Sequence, residues 1–171
     1  INIVPDKKYP AVTRNIKLSK VKKAYKTAAQ VNYVARTGNF LKKGFAYDAS
    51  LKVLKTILSY DFLWNNVRVM GGAYGCMNDF SVNGRGYFVS YRDPNCGKTN
   101  ETYEKIADYV RNFDASEREM TKYVIGTLSE LDIPMSCSTK GIRSFTSYMC
   151  GITEELLKKN RLKALETRAE D

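Results

Sequence analysis

The spacing of apolar residues changes period several times along this chain, and each change predicts an element. From Ala28 to Phe40 the pattern alternates, with Val31, Tyr33 and Ala35 on one face and Asn32 and Val34 on the other. That period of two predicts a strand ending at Gly38. From about 50 to 70 the period becomes helical: Leu51, Leu54, Leu58, Phe62 and Val67 form a stripe, with Val53, Ile57, Leu63 and Trp64 beside it. A stripe that wide predicts a helix packed on two sides. Asp48 or Ser50 can cap its start, and Gly71 is placed to close its end. Ala73–Val82 and Tyr87–Tyr91 then read as two strand arms joined by Asn83-Gly84, the pairing that favours a type I′ hairpin.

Four helical segments follow. Thr99 or Asn100 opens one carrying Tyr103, Ile106, Val110 and Phe113. Ser116-x-x-Glu119 is a capping box for the next, which carries Met120, Val124, Leu128 and Leu131 and stops at Pro134. A short helix near 139–149 holds Ile142, Phe145 and Met149, and Thr153 caps a last one with Leu156, Leu157 and Leu165. Strand, long helix, hairpin and helical run together predict an α+β domain. Its sheet would be antiparallel or mixed, with helices packed on one side. Residues 1–27 have no clear period and contain Pro5 and Pro10, so they read as a linker or the tail of an upstream region, with the domain at 28–171.

Composition narrows the chemistry. The 171 residues contain no histidine, which excludes Ser-His and Cys-His dyads and any His-containing zinc site within the chain. The cysteines Cys76, Cys96, Cys137 and Cys150 form no Cys-x-x-Cys pair and read as reduced, mostly buried thiols. No apolar run approaches the length of a membrane helix and no secretory leader is visible, so the expectation is a cytoplasmic protein without a membrane partner. The net charge is +10, and residues 1–30 supply +7 of it through eight Lys or Arg against Asp6 alone. Such a segment suits either a solvated connector or an acidic partner, nucleic acid included.

Several motifs lose their function on inspection. Arg92-Asp-Pro-Asn-Cys-Gly97-Lys98-Thr99 stands where a phosphate-binding loop would, but it lacks the first glycine, and Pro94 removes a backbone donor. Thr99 as a helix cap explains it better. Arg85-Gly-Tyr87-Phe88-Val-Ser-Tyr91 is one residue short of an RNA-recognition signature, which sends Tyr87 and Phe88 to opposite faces of a strand. Nucleic acid is therefore a poor candidate partner. The Glu pairs 101/104, 117/119 and 154/155 lie in first helical turns, where acids favour the helix dipole. What remains is Arg68-Val-Met-Gly71-Gly72-Ala-Tyr74-Gly75, where a guanidinium and a phenol flank a backbone with few side chains. Two readings stay open. Arg68 can be a helix-end cation and Tyr74 a half-buried strand residue, or both can donate hydrogen bonds to a substrate carbonyl.

Four blocks carry a resemblance: Gln30–Val34, Leu63–Gly75, Val89–Asn95 and Ile125–Asp132. In collinear order they resemble the C-terminal end of presequence proteases, in the pitrilysin/insulinase group of zinc metallopeptidases. The resemblance implies a partial pitrilysin-like domain from an enzyme of four homologous α+β domains in two halves, closing around a peptide substrate. Zinc would be held by the N-terminal half of the same polypeptide, through an inverted His-x-x-Glu-His motif and a further Glu absent from this chain. The C-terminal half would contribute Arg68 and Tyr74 as catalytic, substrate-contacting groups, with Gly71 and Gly72 giving the peptide access. The implied function is degradation of short unfolded peptides by the whole enzyme, the segment being inactive alone. A non-enzymatic basic binding module and a scaffold-type inactive homologue are the alternatives.

Overall fold

A computed structural model describes residues 28–171. The expected linker, 1–27, and its basic charge lie outside the described residues. The fold is α+β. Three strands, β1 (Asn32–Asn39), β2 (Gly75–Phe80) and β3 (Arg85–Asp93), form an antiparallel sheet in the order β1-β3-β2. Strand β1 is shorter than the alternation suggested. It turns Val34 into the core and leaves Tyr33 and Ala35 exposed, so the core face is the one carrying Asn32 and Val34.

The register lays Val34, Ser90 and Cys76 side by side, and Arg36, Phe88 and Asn78 next to them. This face meets the long helix and its neighbours. Val34, Leu58, Phe62, Leu63, Val67, Ala73, Tyr103 and Ile106 form one buried cluster, joined by Cys76, Phe80 and Phe88. On the opposite face Met77 and Tyr33 are exposed, with no helix among the described residues buried against them.

The long helix begins as α1 (Ser50–Ile57) and continues as a π-helical segment, Leu58–Val69, whose wider turn is visible in Met70 N–H donating to Asn65 O at 2.9 Å. Neither expected residue is its N-cap: Ala49 takes that position, while the Asp48 carboxylate accepts from Ser50 N–H at 2.8 Å. The predicted packing on two sides holds. Val53 and Ile57 join Met120, Val124 and Ala164 in a second cluster, where the hydroxyls of Thr56 and Thr127 bond at 2.7 Å. Complete burial of Leu58 and Leu63 contributes roughly 1.5–3 kcal/mol each.

Gly72, not Gly71, takes the left-handed conformation that ends this helix, with φ +77°. Gly71 is needed for space instead: a Cβ there would collide with the Val67 carbonyl. The hairpin turn also differs from the type I′ expectation. Only Gly84 has positive φ, and its N–H closes the turn on Ser81 O at 2.8 Å. Asn83 stays out of the left-handed region because its side chain accepts from the Ser81 hydroxyl and the Arg85 N–H.

Beyond the hairpin, the expected helix from Thr99 to Phe113 is two helices, α2 (Cys96–Glu104) and α3 (Ile106–Arg111). Thr99 is buried inside α2 rather than capping it. α4 (Glu117–Leu131) carries the capping box as read, with both Ser116 and Glu119 bonds formed. α5 (Cys137–Met149) is capped by Ser136 and buries none of its residues, so Ile142, Phe145 and Met149 are exposed. α6 (Glu154–Glu166) has Thr153 as its N-cap and buries Ala164, while Leu157 and Leu165 are exposed. The cysteines are free, but Cys96, Cys137 and Cys150 are exposed and only Cys76 is half-buried, contrary to the mostly buried thiols expected.

Candidate functional site

The π-helical segment delivers Arg68 to the top of the sheet, and the Gly71-Gly72 turn brings the chain straight back beside it. Arg68 Nε donates to the Tyr74 carbonyl at 3.1 Å, so the two residues six apart in sequence share one corner. The Arg68 guanidinium lies 3.9 Å above the Trp64 ring, which holds its plane. Its Nη nitrogens make no hydrogen bond to the described residues. The Tyr74 side chain is 62% exposed, touches the Tyr91 ring edge-on at 5.5 Å, and has the Arg92 guanidinium 5.4 Å from its centroid. Gly71 is buried and Gly72 exposed. All four expected site residues thus fall on one corner, with the Arg68 Nη groups and the Tyr74 hydroxyl unpartnered among the described residues. Cys76, two residues beyond Tyr74, is half-buried, and burial pushes its thiol up, which disfavours the thiolate.

The segment 91–95 is the support of this corner, and sequence reasoning missed it. The Tyr91 ring lies where a Cβ of Gly75 would be. Arg92, the one non-glycine residue with positive φ among those described (+47°), turns its carbonyl to accept from Tyr74 N–H at 3.3 Å. Pro94 packs over Gly72. Asn95 Nδ2 donates to the Gly71 carbonyl at 2.5 Å. Beneath them Asp93 is wholly buried: one carboxylate oxygen accepts from the Ser90 and Thr99 hydroxyls at 2.6 and 2.7 Å, the other from Asn95 N–H at 2.8 Å. Asp93-Pro94 in sequence signals only a strand breaker. The sole hint was hydroxyl residues three before and six after the acid.

The corner is a ledge, not a cavity. A cleft of about 710 Å3 between α4 and residues 165–170 shares no residue with it. No group of three or more Cys, Asp or Glu among the described residues is placed to hold a metal ion, and the sequence has no histidine. These residues do not fit a zinc site.

Comparison with known proteins bears on what such a ledge belongs to. The family described as PreP C-terminal domain matches residues 22–171. The chain belongs to that family. Among curated relatives, Protein HypA of Clostridium perfringens is 45% identical over 147 residues, 86% of this chain and 15% of the relative. Presequence protease 1, chloroplastic/mitochondrial, of Arabidopsis thaliana is 38% identical over 143 residues, 83% of this chain and 13% of the relative. The mitochondrial presequence protease of Xenopus tropicalis is 32% identical over 131 residues, 77% and 12% respectively. The chain therefore spans about one-seventh or less of the length of these relatives. No helix among the described residues is long and apolar enough to cross a membrane.

Proposed function

We propose that this PreP C-terminal domain is the substrate-contacting part of a zinc-dependent oligopeptidase that degrades short unfolded peptides, and that it is inactive alone. One observation carries the reading. Arg68 and Tyr74 meet at the Gly71-Gly72 turn, each held by aromatic and main-chain neighbours, with the Arg68 Nη groups and the Tyr74 hydroxyl unpartnered among the described residues. Held donors of this kind stabilise negative charge developing on an acyl oxygen, because no reorganisation is needed when the charge appears. The Arg68 fork can donate to a peptide carbonyl through Nη while Nε stays on Tyr74 O. The phenol of Tyr74 supplies a neutral second donor. Zinc, in such an enzyme, would be held by the N-terminal half of the same polypeptide, which is this domain's partner.

The test is Tyr74→Phe in the full-length polypeptide, assayed on an unfolded peptide. The substitution removes one oxygen and keeps the ring against Tyr91. The expected fall in kcat/KM is about 10²–10³-fold. An unchanged value removes the role. The nucleic-acid alternative rests mainly on residues 1–27, and loss of single-strand binding on their deletion would be its signature.

A further inference from the structure

We infer that Asn95 is a positioning residue for the Arg68–Tyr74 corner; this rests on the substrate-contacting role proposed above. Asn95 is the N-cap of α2, a position where an Asn side chain ordinarily accepts a hydrogen bond from the first turn. Here it makes no such bond. Its amide donates instead to the Gly71 carbonyl, 24 residues away. The helix forgoes a cap so that the chain reversal between Arg68 and Tyr74 gains a tether.

The surroundings fix that choice. The Asp93 carboxylate holds the Asn95 backbone N–H, and Ser90 and Thr99 hold the carboxylate in turn, so the Asn95 backbone cannot drift. Arg92, in its left-handed conformation, places its carbonyl on Tyr74 N–H. Gly71 and Tyr74 are thereby held from the same five-residue segment, one at each end of the turn. Gly72 between them has the left-handed backbone that other residues avoid; its N–H donates to Arg68 O at 2.9 Å, Ala73 N–H donates to Val67 O at 3.2 Å, and the Pro94 ring lies over it. Removing the Asn95 donor leaves the Gly71 end on the helix-end backbone bonds alone, without its tether to the 91–95 segment. Arg68 and Tyr74 then lose their mutual placement without losing any atom of their own. Displacement of about 1 Å at a reacting centre costs up to about 100-fold in rate.

The decisive variant is Asn95→Asp in the full-length polypeptide. Aspartate has the same shape, is a good N-cap and lacks the donor. The expected result is a thermal midpoint equal to or above the parent's, a kcat lower by roughly ten- to a hundred-fold, and an unchanged KM. Amide exchange across 68–75 should quicken while the rest of the domain is unaffected. In a Tyr74→Phe background the same change should cost less than in the parent, because the positioned group is already gone. Asn95→Ser, which also caps, gives the same comparison should the aspartate variant not fold. Parent-like kcat in either variant overturns the inference, as does a loss of activity that only follows a loss of thermal stability. A parent-like Tyr74→Phe enzyme would instead remove the underlying site reading, and with it this inference. Full loss in Tyr74→Phe with no effect of Asn95→Asp leaves the site standing and removes Asn95 alone.

Discussion

The corner from Gly71 to Asn95 and the helix Cys137–Met149 receive opposite degrees of support from the same chain. At the corner, a wholly buried carboxylate, two hydroxyls, a carboxamide and a strained Arg92 backbone fix a handful of residues. Along α5, no residue is buried, and Ile142, Phe145, Tyr148 and Met149 are all more than 60% exposed. Both segments contain apolar and aromatic side chains. The difference lies in whether buried polar partners lock the backbone. The comparison teaches that equal exposure can go with unequal support: Tyr74 is as exposed as Phe145, but its backbone is held by the network beneath it.

The sharpest way to break that contrast is to remove packing from each side. Leu63→Ala, under the corner and fully buried, should cost about 2–5 kcal/mol in denaturant unfolding of this chain. Phe145→Ala in α5 should stay within about 0.5 kcal/mol. Comparable losses would mean that α5 is anchored after all. Next in size are the two glycines. Gly71→Ala drives a methyl into the Val67 carbonyl and should cost about 1–3 kcal/mol. Gly72→Ala forces an alanine to φ +77° and should cost about 1–2 kcal/mol, with the larger share of any activity loss at Gly71.

Smaller still is the Ser116→Ala change, which removes half of a capping box and should lower stability by about 1 kcal/mol. The mildest test uses pH. Burial, and then the hydrogen bond from its hydroxyl to Asp61 at 2.5 Å, pushes the Tyr109 phenol far above its ordinary value of 10. The folded value is the higher one, so this contribution is complete below pH 10 and is lost as pH rises past 10, where only the unfolded chain ionises. Tyr109→Phe should flatten the alkaline limb of the stability curve there.

Much of this architecture was legible because its signals are local. The Ser116/Glu119 box and the Thr153 cap depend on three-residue spacing, and both form as read. The broad stripe on residues 50–70 correctly predicted two buried faces. Errors arose where a side-chain hydrogen bond or an unusual helical period decided. Asn95, not Thr99, opens α2, because Thr99 is drawn inward to Asp93. The Asn83-Gly84 turn left type I′ because the Asn83 carboxamide bonds Ser81 and Arg85. A 3.6-residue period does not reveal a π-helical run, so the helix end moved by one residue from Gly71 to Gly72. Of the site, Arg68 and Tyr74 were visible through their glycines. Asp93 and Asn95 were not, since their partners lie up to 24 residues away.

The most direct test of the central claim is contact with substrate. In the full-length polypeptide, a photoreactive benzoyl-phenylalanine is placed at Tyr74 or, as the control, at Tyr148 in α5, and illuminated with a labelled unfolded peptide. The account predicts a cross-link from position 74 that unlabelled peptide competes away, and none from position 148. Labelling from 148 equal to that from 74, or no labelling from 74 under conditions where the parent turns the peptide over, would contradict it.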